Sequence, residues 1–184
     1  MDIEIIMRQL EVNNVLPTEN RKIKPLKKWY EEILKKYHDL PLTLPIDDVA
    51  VQRVCQVLTH YKYKTVESCE GHGRDLPKIF FTCKDQDRLR DITHIVNGEL
   101  RHLNNFPWEI RTFCGDPYLN SDGKLLYLLE PALWAGEIDP KKEQNKLIDD
   151  LDFIGIATLR YFNTPWRFKD VDKKIAGTWE KIPN

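Results

Sequence analysis

The hydrophobic period of the sequence changes abruptly about a third of the way along the chain, which restricts the fold to classes that mix helices with strands. Residues 47–61 repeat apolar side chains at helical spacing, and Asp47 or Asp48 can cap the helix that they predict. Residues 63–69 and 78–83 have the length and composition of strands, and a glycine-containing segment joins them. We therefore expect a helix followed by two adjacent strands.

Further helices and strands are predicted on both sides of this region. Helical periodicity recurs over residues 2–13, 25–38, 85–103 and 140–159. Two more strands are predicted at residues 108–114 and 124–129. The resulting order, α, α, α, β, β, α, β, β, α, favours an α+β fold with a mostly antiparallel sheet of about four strands and helices packed on one face.

These elements predict three parts of the chain. Residues 46–162 form an α+β core domain with a ββαββ centre and a C-terminal helix, residues 1–45 form an N-terminal helical extension, and residues 163–184 form a C-terminal tail. The tail contains three large aromatic residues, Trp166, Phe168 and Trp179. If they dock a partner protein, the chain is a non-enzymatic interaction module.

Charge and composition exclude several classes of protein. The 28 Lys and Arg residues balance 29 Asp and Glu residues, so nucleic-acid binding would require a local patch. Basic residues between positions 21 and 37 form such a patch, but their helical spacing is typical of a solvated helix face. No apolar run approaches the ~20 residues of a transmembrane helix, so no membrane partner is expected.

The sequence also predicts a cytoplasmic protein with reduced thiols. The amino terminus carries acidic residues within its apolar run, unlike a signal peptide or a transit peptide. The cysteines lack the dense spacing of a disulfide scaffold. They are Cys55, Cys69, Cys83 and Cys114.

The connection between the first two strands concentrates side chains that suit a functional site. It contains a hydroxyl, a thiol, a carboxylate, an imidazole and a guanidinium around two glycines. Glycine permits positive φ and lets a ligand approach the backbone. We assign Cys69 and His72 as candidate catalytic residues. The candidate ligand-binding residues are Ser68, Glu70, Gly71, Gly73 and Arg74.

This segment, which we call the SCEGHG connection after residues 68–73, admits four interpretations. Cys69-x-x-His72 has the spacing of zinc ligands, and Cys83 or Cys114 could complete such a site. Cys83 would lie at the opposite end of the hairpin, however, and no metal is assigned. Alternatively, Cys69 is a nucleophile with His72 as its base. The amides of residues 70–74 would suit an anion cradle. The fourth interpretation is a tight turn without a ligand.

A signature in this region resembles that of small, largely uncharacterised bacterial and phage proteins. Those proteins share the pattern T-x-E-S-C-x-G-H-G, which this chain has from Thr65 to Gly73, followed by a P-x-I-x-F segment. The resemblance covers residues 47–114. It implies a shared site without naming the ligand.

A more distant resemblance is to the wybutosine-synthesis methyltransferase family. That family has T-x-S-S-C-S-G-R near a strand end and a later aliphatic strand that ends in Glu-Pro, to which residues 128–131 are similar. In this chain His72 stands where the family has arginine. The resemblance implies an RNA-modifying enzyme that uses S-adenosylmethionine.

The residues themselves favour a ligand-binding function at the SCEGHG connection. The expected ligand is small and anionic, either a nucleotide or another phosphorylated molecule, with backbone amides and Arg74 holding the anion. His72 would donate a hydrogen bond or act as acid or base. The RNA-modifying enzyme and the interaction module are the alternatives.

Overall fold

The computed structural model describes residues 28, 31–46, 48–99, 104–113, 125–132, 134 and 136–163. Contacts between residues divide the chain into two compact units. One unit comprises residues 40–158 and contains the sheet and the SCEGHG connection. The other comprises residues 1–39 and 159–184.

Four helices and four strands make up the regular structure of the described residues. The helices are α1 (31–38), α2 (Val49–His60), α3 (Gln86–His94) and α4 (Pro140–Asn163). The strands are β1 (Lys64–Cys69), β2 (Lys78–Thr82), β3 (Trp108–Phe113) and β4 (Leu126–Pro131). A π-helical turn, Ile95–Glu99, continues α3.

The strands form one sheet in the order β1-β2-β4-β3. Each neighbouring pair is antiparallel, and β4 lies between β2 and β3. The predicted α+β class and the antiparallel four-stranded sheet are therefore confirmed. All four strands begin and end within two residues of the predicted positions, because strand length and apolar patterning are local signals.

A β-bulge interrupts β1 just before the SCEGHG connection. Thr65 and Glu67 pair with Phe81 and Phe80, which are adjacent in β2, so Val66 is an extra residue in the pairing. Successive side chains of a strand point to opposite faces, and one extra residue reverses this alternation for the remainder of the strand. The bulge therefore decides which side chains at the end of β1 face the core.

The central strand β4 is buried on both faces. All six of its residues are buried. Glu130 is the charged residue among them, and its carboxylate accepts a 2.6 Å hydrogen bond from Arg111 Nε and a second bond from Nη2. A buried carboxylate that lost this partner would destabilise the fold by several kcal/mol. The pair consequently stabilises the register of β3 against β4.

A second buried carboxylate, Asp150 of α4, anchors the loop that precedes β3. Its two oxygens accept bonds of 2.7–3.1 Å from Asn105 N and Nδ2, Phe106 N and Trp108 Nε1. Burial raises the pKa of Asp150 above its usual range, and the four N–H donors oppose that rise. Asp150 thus satisfies backbone and indole N–H groups that α4 would otherwise bury without a partner.

The predicted helix boundaries are confirmed where a cap residue defines them. Asp85 and Asp139 accept hydrogen bonds from amides of the first turns of α3 and α4. The helix predicted over residues 85–103 changes to a π-turn after His94. This wider turn buries the consecutive residues Ile95 and Val96, while Asn97 Oδ1 accepts a bond from Ile110 N of β3.

Several predictions lie outside the described residues. These are the helix over residues 2–13, the start of the next helix at Pro25, the environment of Cys114, and the tail aromatic residues Trp166, Phe168 and Trp179. The described part of the second predicted helix, residues 31–38, is helical as expected. Within the described ranges, no helix combines the length and hydropathy that membrane crossing requires.

We predict that Asp150→Asn lowers the free energy of unfolding by about 1–3 kcal/mol. The new amide group would place a donor against buried N–H donors and leave at least one of them without an acceptor. Urea denaturation followed by circular dichroism measures the effect. The neighbouring exposed Asp149→Asn is the matched control and should change stability by less than about 0.5 kcal/mol. Equal stability of the two variants would contradict the anchoring role.

Candidate functional site

The SCEGHG connection contains a left-handed turn of three consecutive residues. Gly71, His72 and Gly73 have φ values of 86°, 52° and 66°. The amides of Arg74 and Asp75 both donate to Gly71 O, at 2.9 and 3.1 Å, and close the turn. Positive φ is unstrained for glycine but costs roughly 1–2 kcal/mol for a residue with a Cβ. The strain at His72 must therefore be balanced by contacts with the rest of the protein.

Close packing makes Gly71 the least replaceable residue of the left-handed turn. A Cβ at this position would lie 2.0 Å from Asp75 O, a separation that real Cβ atoms do not adopt. A Cβ at Gly73 would instead lie 3.7 Å from Lys141 Cα, which is ordinary contact. The two glycines therefore have different roles: Gly71 leaves space for the carbonyl of Asp75, and Gly73 mainly supplies positive φ.

Gln144 of α4 holds the left-handed turn from one side. Its Oε1 accepts a 2.7 Å hydrogen bond from Gly73 N, and its Nε2 donates to Glu70 O at 3.4 Å. One side chain thus bonds the backbone on both sides of His72. This contact fixes the backbone of the connection against α4.

Asp48 holds the connection from the other side. It occupies the N-cap position of α2, as predicted, but its side chain makes no hydrogen bond to the helix. Its Oδ2 instead accepts a 3.2 Å bond from Glu70 N and lies 3.5 Å from His72 Nε2. The Asp48 side chain is 16% exposed and that of His72 is 59% exposed. A residue that the sequence indicated as a helix cap therefore belongs to the site.

Three potential metal ligands meet at this point. A carboxylate oxygen of Asp48, the sulfur of Cys69 and a ring nitrogen of His72 all lie within 4.8 Å of one another. Cys69 Sγ also accepts a 3.3 Å bond from Gly71 N. Cys83 follows the residue that pairs with Lys64, so it lies at the opposite end of the hairpin from Cys69, as predicted.

The two remaining described cysteines differ from Cys69. Burial raises the pKa of the Cys55 thiol to about 11, although a hydrogen bond with Ser68 opposes the rise. Cys83 is partly exposed, donates to Asp85 O at 3.2 Å, and also has a raised pKa, mainly because of burial. Cys55 thus behaves as a buried apolar residue, as free cysteines often do.

A cavity of about 510 Å³ opens beside the left-handed turn. Its lining includes an apolar segment before α2 and polar side chains of β1 and the SCEGHG connection. The lining residues are Leu44, Pro45, Ile46, Asp48, Thr65, Val66, Glu67, Ser68 and His72. Asp48 and His72 therefore belong both to the metal-ligand cluster and to the cavity.

The electrostatics at the connection are acidic. Burial raises the pKa of the Glu70 carboxyl above its usual range, and the neighbouring charge of Asp48 raises it further, while His72 lowers it. Glu67 adds another carboxylate to the cavity lining. The carboxylates of Asp48 and Glu70 thus lie near the imidazole of His72, an arrangement that attracts cations more readily than bare anions.

The backbone amides of the connection are largely engaged within the protein. Those of Glu70, Gly71, Gly73 and Arg74 donate to Asp48, Cys69, Gln144 and Gly71. An anion cradle built from these four amides would have to break these bonds. Side chains are therefore better placed than amides to contact a ligand.

The structure brings together most of the residues that the sequence assigned to the site. Cys69 and His72 join the ligand cluster, and Ser68 lines the cavity. Arg74 is exposed and is not among the lining residues. Asp48 and Gln144 were not predicted as site residues, since they lie 22 and 74 positions from Glu70, to which both bond.

Comparison with known proteins adds no relative. A scan against models of protein families, a search of curated proteins and a search of solved structures each find no match to this chain. The functional assignment consequently depends on the geometry and chemistry of the connection.

We predict that Gly71→Ala destabilises the fold by about 1–3 kcal/mol more than Gly73→Ala does. Both variants place a Cβ at positive φ, but only the Cβ at position 71 collides with a backbone carbonyl. Urea denaturation of both variants measures the difference. Gly136→Ala is a further control, because its φ of 107° is strained while no atom lies within 4 Å of the new Cβ. Equal losses at positions 71 and 73 would contradict the predicted collision.

We also predict that His72→Gly raises the free energy of unfolding by about 0.5–1 kcal/mol, because glycine removes the strain of positive φ. His72→Ala removes the same imidazole but retains the Cβ, and should give no such gain. The contact with Asp48 offsets little, since His72 is 59% exposed and water screens such a pair. Thermal unfolding of both variants tests this; a His72→Gly protein less stable than His72→Ala would contradict it.

Proposed function

We propose that the protein binds a small ligand in the cavity beside the SCEGHG connection, and that the ligand is a nucleotide or another phosphorylated molecule. The supporting observation is the placement of the strained His72 at a cavity of about 510 Å³. This volume is in the range typical of small-molecule sites. Strain of this kind tends to occur where a side chain must be presented to a ligand.

The lining of the cavity suits a ligand with one apolar part and one polar part. Leu44, Pro45 and Ile46 offer an apolar surface on which a flat ring can pack. Thr65 and Glu67 offer hydroxyl and carboxylate oxygens for the hydroxyl groups of a sugar. A nucleoside has both kinds of surface.

The anionic part of the ligand would contact His72. This imidazole can donate an N–H to a phosphate oxygen while its other ring nitrogen remains an acceptor, and its 59% exposure leaves it accessible. As a donor to a phosphate oxygen it would make a charge-assisted hydrogen bond. In the described residues, no comparable observation favours an S-adenosylmethionine-dependent enzyme or an interaction module.

The test is saturation-transfer NMR of the full chain with AMP, ADP, ATP, ribose 5-phosphate and S-adenosylmethionine, followed by calorimetry of any binder. We expect at least one phosphorylated compound to bind and His72→Ala to weaken it about 10–100-fold, the effect of losing a hydrogen bond to a charged group. Leu44→Trp, which fills the cavity, should also weaken binding. The exposed His60→Ala is the matched control and should not.

Two results would overturn this proposal. One is that none of the phosphorylated compounds binds, neither in EDTA nor in zinc. The other is equal affinity in the wild type, His72→Ala and Leu44→Trp proteins. Binding of S-adenosylmethionine alone would replace the proposed ligand with the methyltransferase cofactor.

A further inference from the structure

We propose that Asp48, Cys69 and His72 bind one divalent transition-metal ion, with zinc as the first candidate. The inference deepens the proposed function and rests on the same site, because two of the three residues also line the cavity. It names the cation that the acidic connection would hold. The three ligands come from different elements: Asp48 is the N-cap of α2, Cys69 ends β1, and His72 lies in the left-handed turn.

The separation of the three ligand atoms is close to that of a metal site. In tetrahedral zinc centres the metal lies about 2.0 Å from nitrogen or oxygen and about 2.3 Å from sulfur, so ligand atoms are about 3.3–3.5 Å apart. His72 Nε2 and Asp48 Oδ2 are 3.5 Å apart, and all three ligand atoms lie within 4.8 Å of one another. The largest adjustment needed is therefore on the order of 1 Å.

The types of ligand select the class of metal. Thiolate is a soft ligand that magnesium and calcium do not favour, imidazole suits zinc, copper, iron and nickel, and carboxylate is common to many sites. One sulfur, one nitrogen and one oxygen together fit zinc and its spectroscopic substitute cobalt. When they bind a metal, the carboxylate of Asp48 and the deprotonated sulfur of Cys69 would offset the charge of a dication.

The protein already orients two of the three ligands with backbone amides of the connection. Glu70 N donates to Asp48 Oδ2 at 3.2 Å, and Gly71 N donates to Cys69 Sγ at 3.3 Å. Outer partners of this kind fix the direction in which a ligand atom points. Gln144 in turn fixes the backbone that carries these donors.

Three protein ligands leave at least one coordination position open. A structural zinc site normally has four protein ligands, whereas a site with three retains a position for water or substrate. Because Asp48 and His72 border the cavity, a phosphate in the cavity can reach an ion at this site. The ion would then supply the positive charge that the surrounding carboxylates otherwise oppose.

The first test is titration of the chelator-treated, full-length protein with Co²⁺, monitored by absorption, followed by displacement with Zn²⁺. We expect one equivalent of Co²⁺ to give the visible bands of tetrahedral cobalt and a near-ultraviolet thiolate-to-metal band. Cys69→Ser should abolish the thiolate band, and His72→Ala should weaken binding more than the about 10–100-fold typical of losing an outer partner. The controls Cys83→Ser and His60→Ala should leave spectrum and affinity unchanged.

The second test uses the wild-type chain alone and so does not depend on how variants fold. Alkylation with iodoacetamide, located by peptide mass spectrometry, should be slowed by Zn²⁺ at Cys69 and unchanged at Cys83. A wild-type protein without a thiolate band and without protection of Cys69 would overturn the proposed metal site. So would equal effects of Cys69→Ser and Cys83→Ser on Co²⁺ binding.

The two proposals fail in distinguishable ways. Phosphorylated compounds that bind equally well in EDTA and in Zn²⁺, together with no Co²⁺ bands, would contradict the metal site alone. Co²⁺ bands and protection of Cys69 without any phosphorylated binder would contradict the proposed ligand alone and support the metal site.

Discussion

The geometry of the candidate site depends on one constraint: three successive residues must keep positive φ although one of them is histidine. Local propensity does not maintain such a turn, because His72 is strained at positive φ. The turn is held at both ends of the connection: Gln144 of α4 bonds Gly73 N and Glu70 O, and Asp48 at the start of α2 accepts a bond from Glu70 N. The candidate site therefore depends on tertiary contacts, because residues from two helices fix the connection between β1 and β2.

The same arrangement explains why two similar helix starts do different work. Asp139 uses its carboxylate to cap α4 and so stabilises the helix that carries Gln144. Asp48 occupies the equivalent position of α2 but directs its carboxylate to Glu70 N and His72 instead. The first turn of α2 thus lacks the side-chain cap that usually contributes about 1 kcal/mol. The Asp48 carboxylate does not stabilise the helix start and instead places negative charge at the cavity.

The extent to which the sequence predicted these features follows from the range of each interaction. The starts of α3 and α4, the four strands and the position of the glycine-containing connection depend on neighbouring residues, so periodicity and caps predicted them. The roles of Asp48 and Gln144 depend on contacts across 22 and 74 positions, for which no local pattern exists. The burial of Glu130 likewise depends on Arg111, which lies on the neighbouring strand β3 and bonds the Glu130 carboxylate. Sequence patterning identified the glycine-containing connection, and tertiary contacts determined which side chains surround it.

The bulge at Val66 has a consequence for how β1 can vary. The strand carries two alternations in opposite phase, one before the bulge and one after it, and Val66 is the point where the phase inverts. Deletion of Val66 would restore uniform alternation and keep Ser68 on the face it shares with the buried Ile79, whereas Val66 within a regular strand would turn Ser68 to the opposite face. A single exchange of side chain at Val66 would leave both phases intact. Along this strand, Val66 is therefore the position at which a residue can be lost without moving Ser68 to the other face.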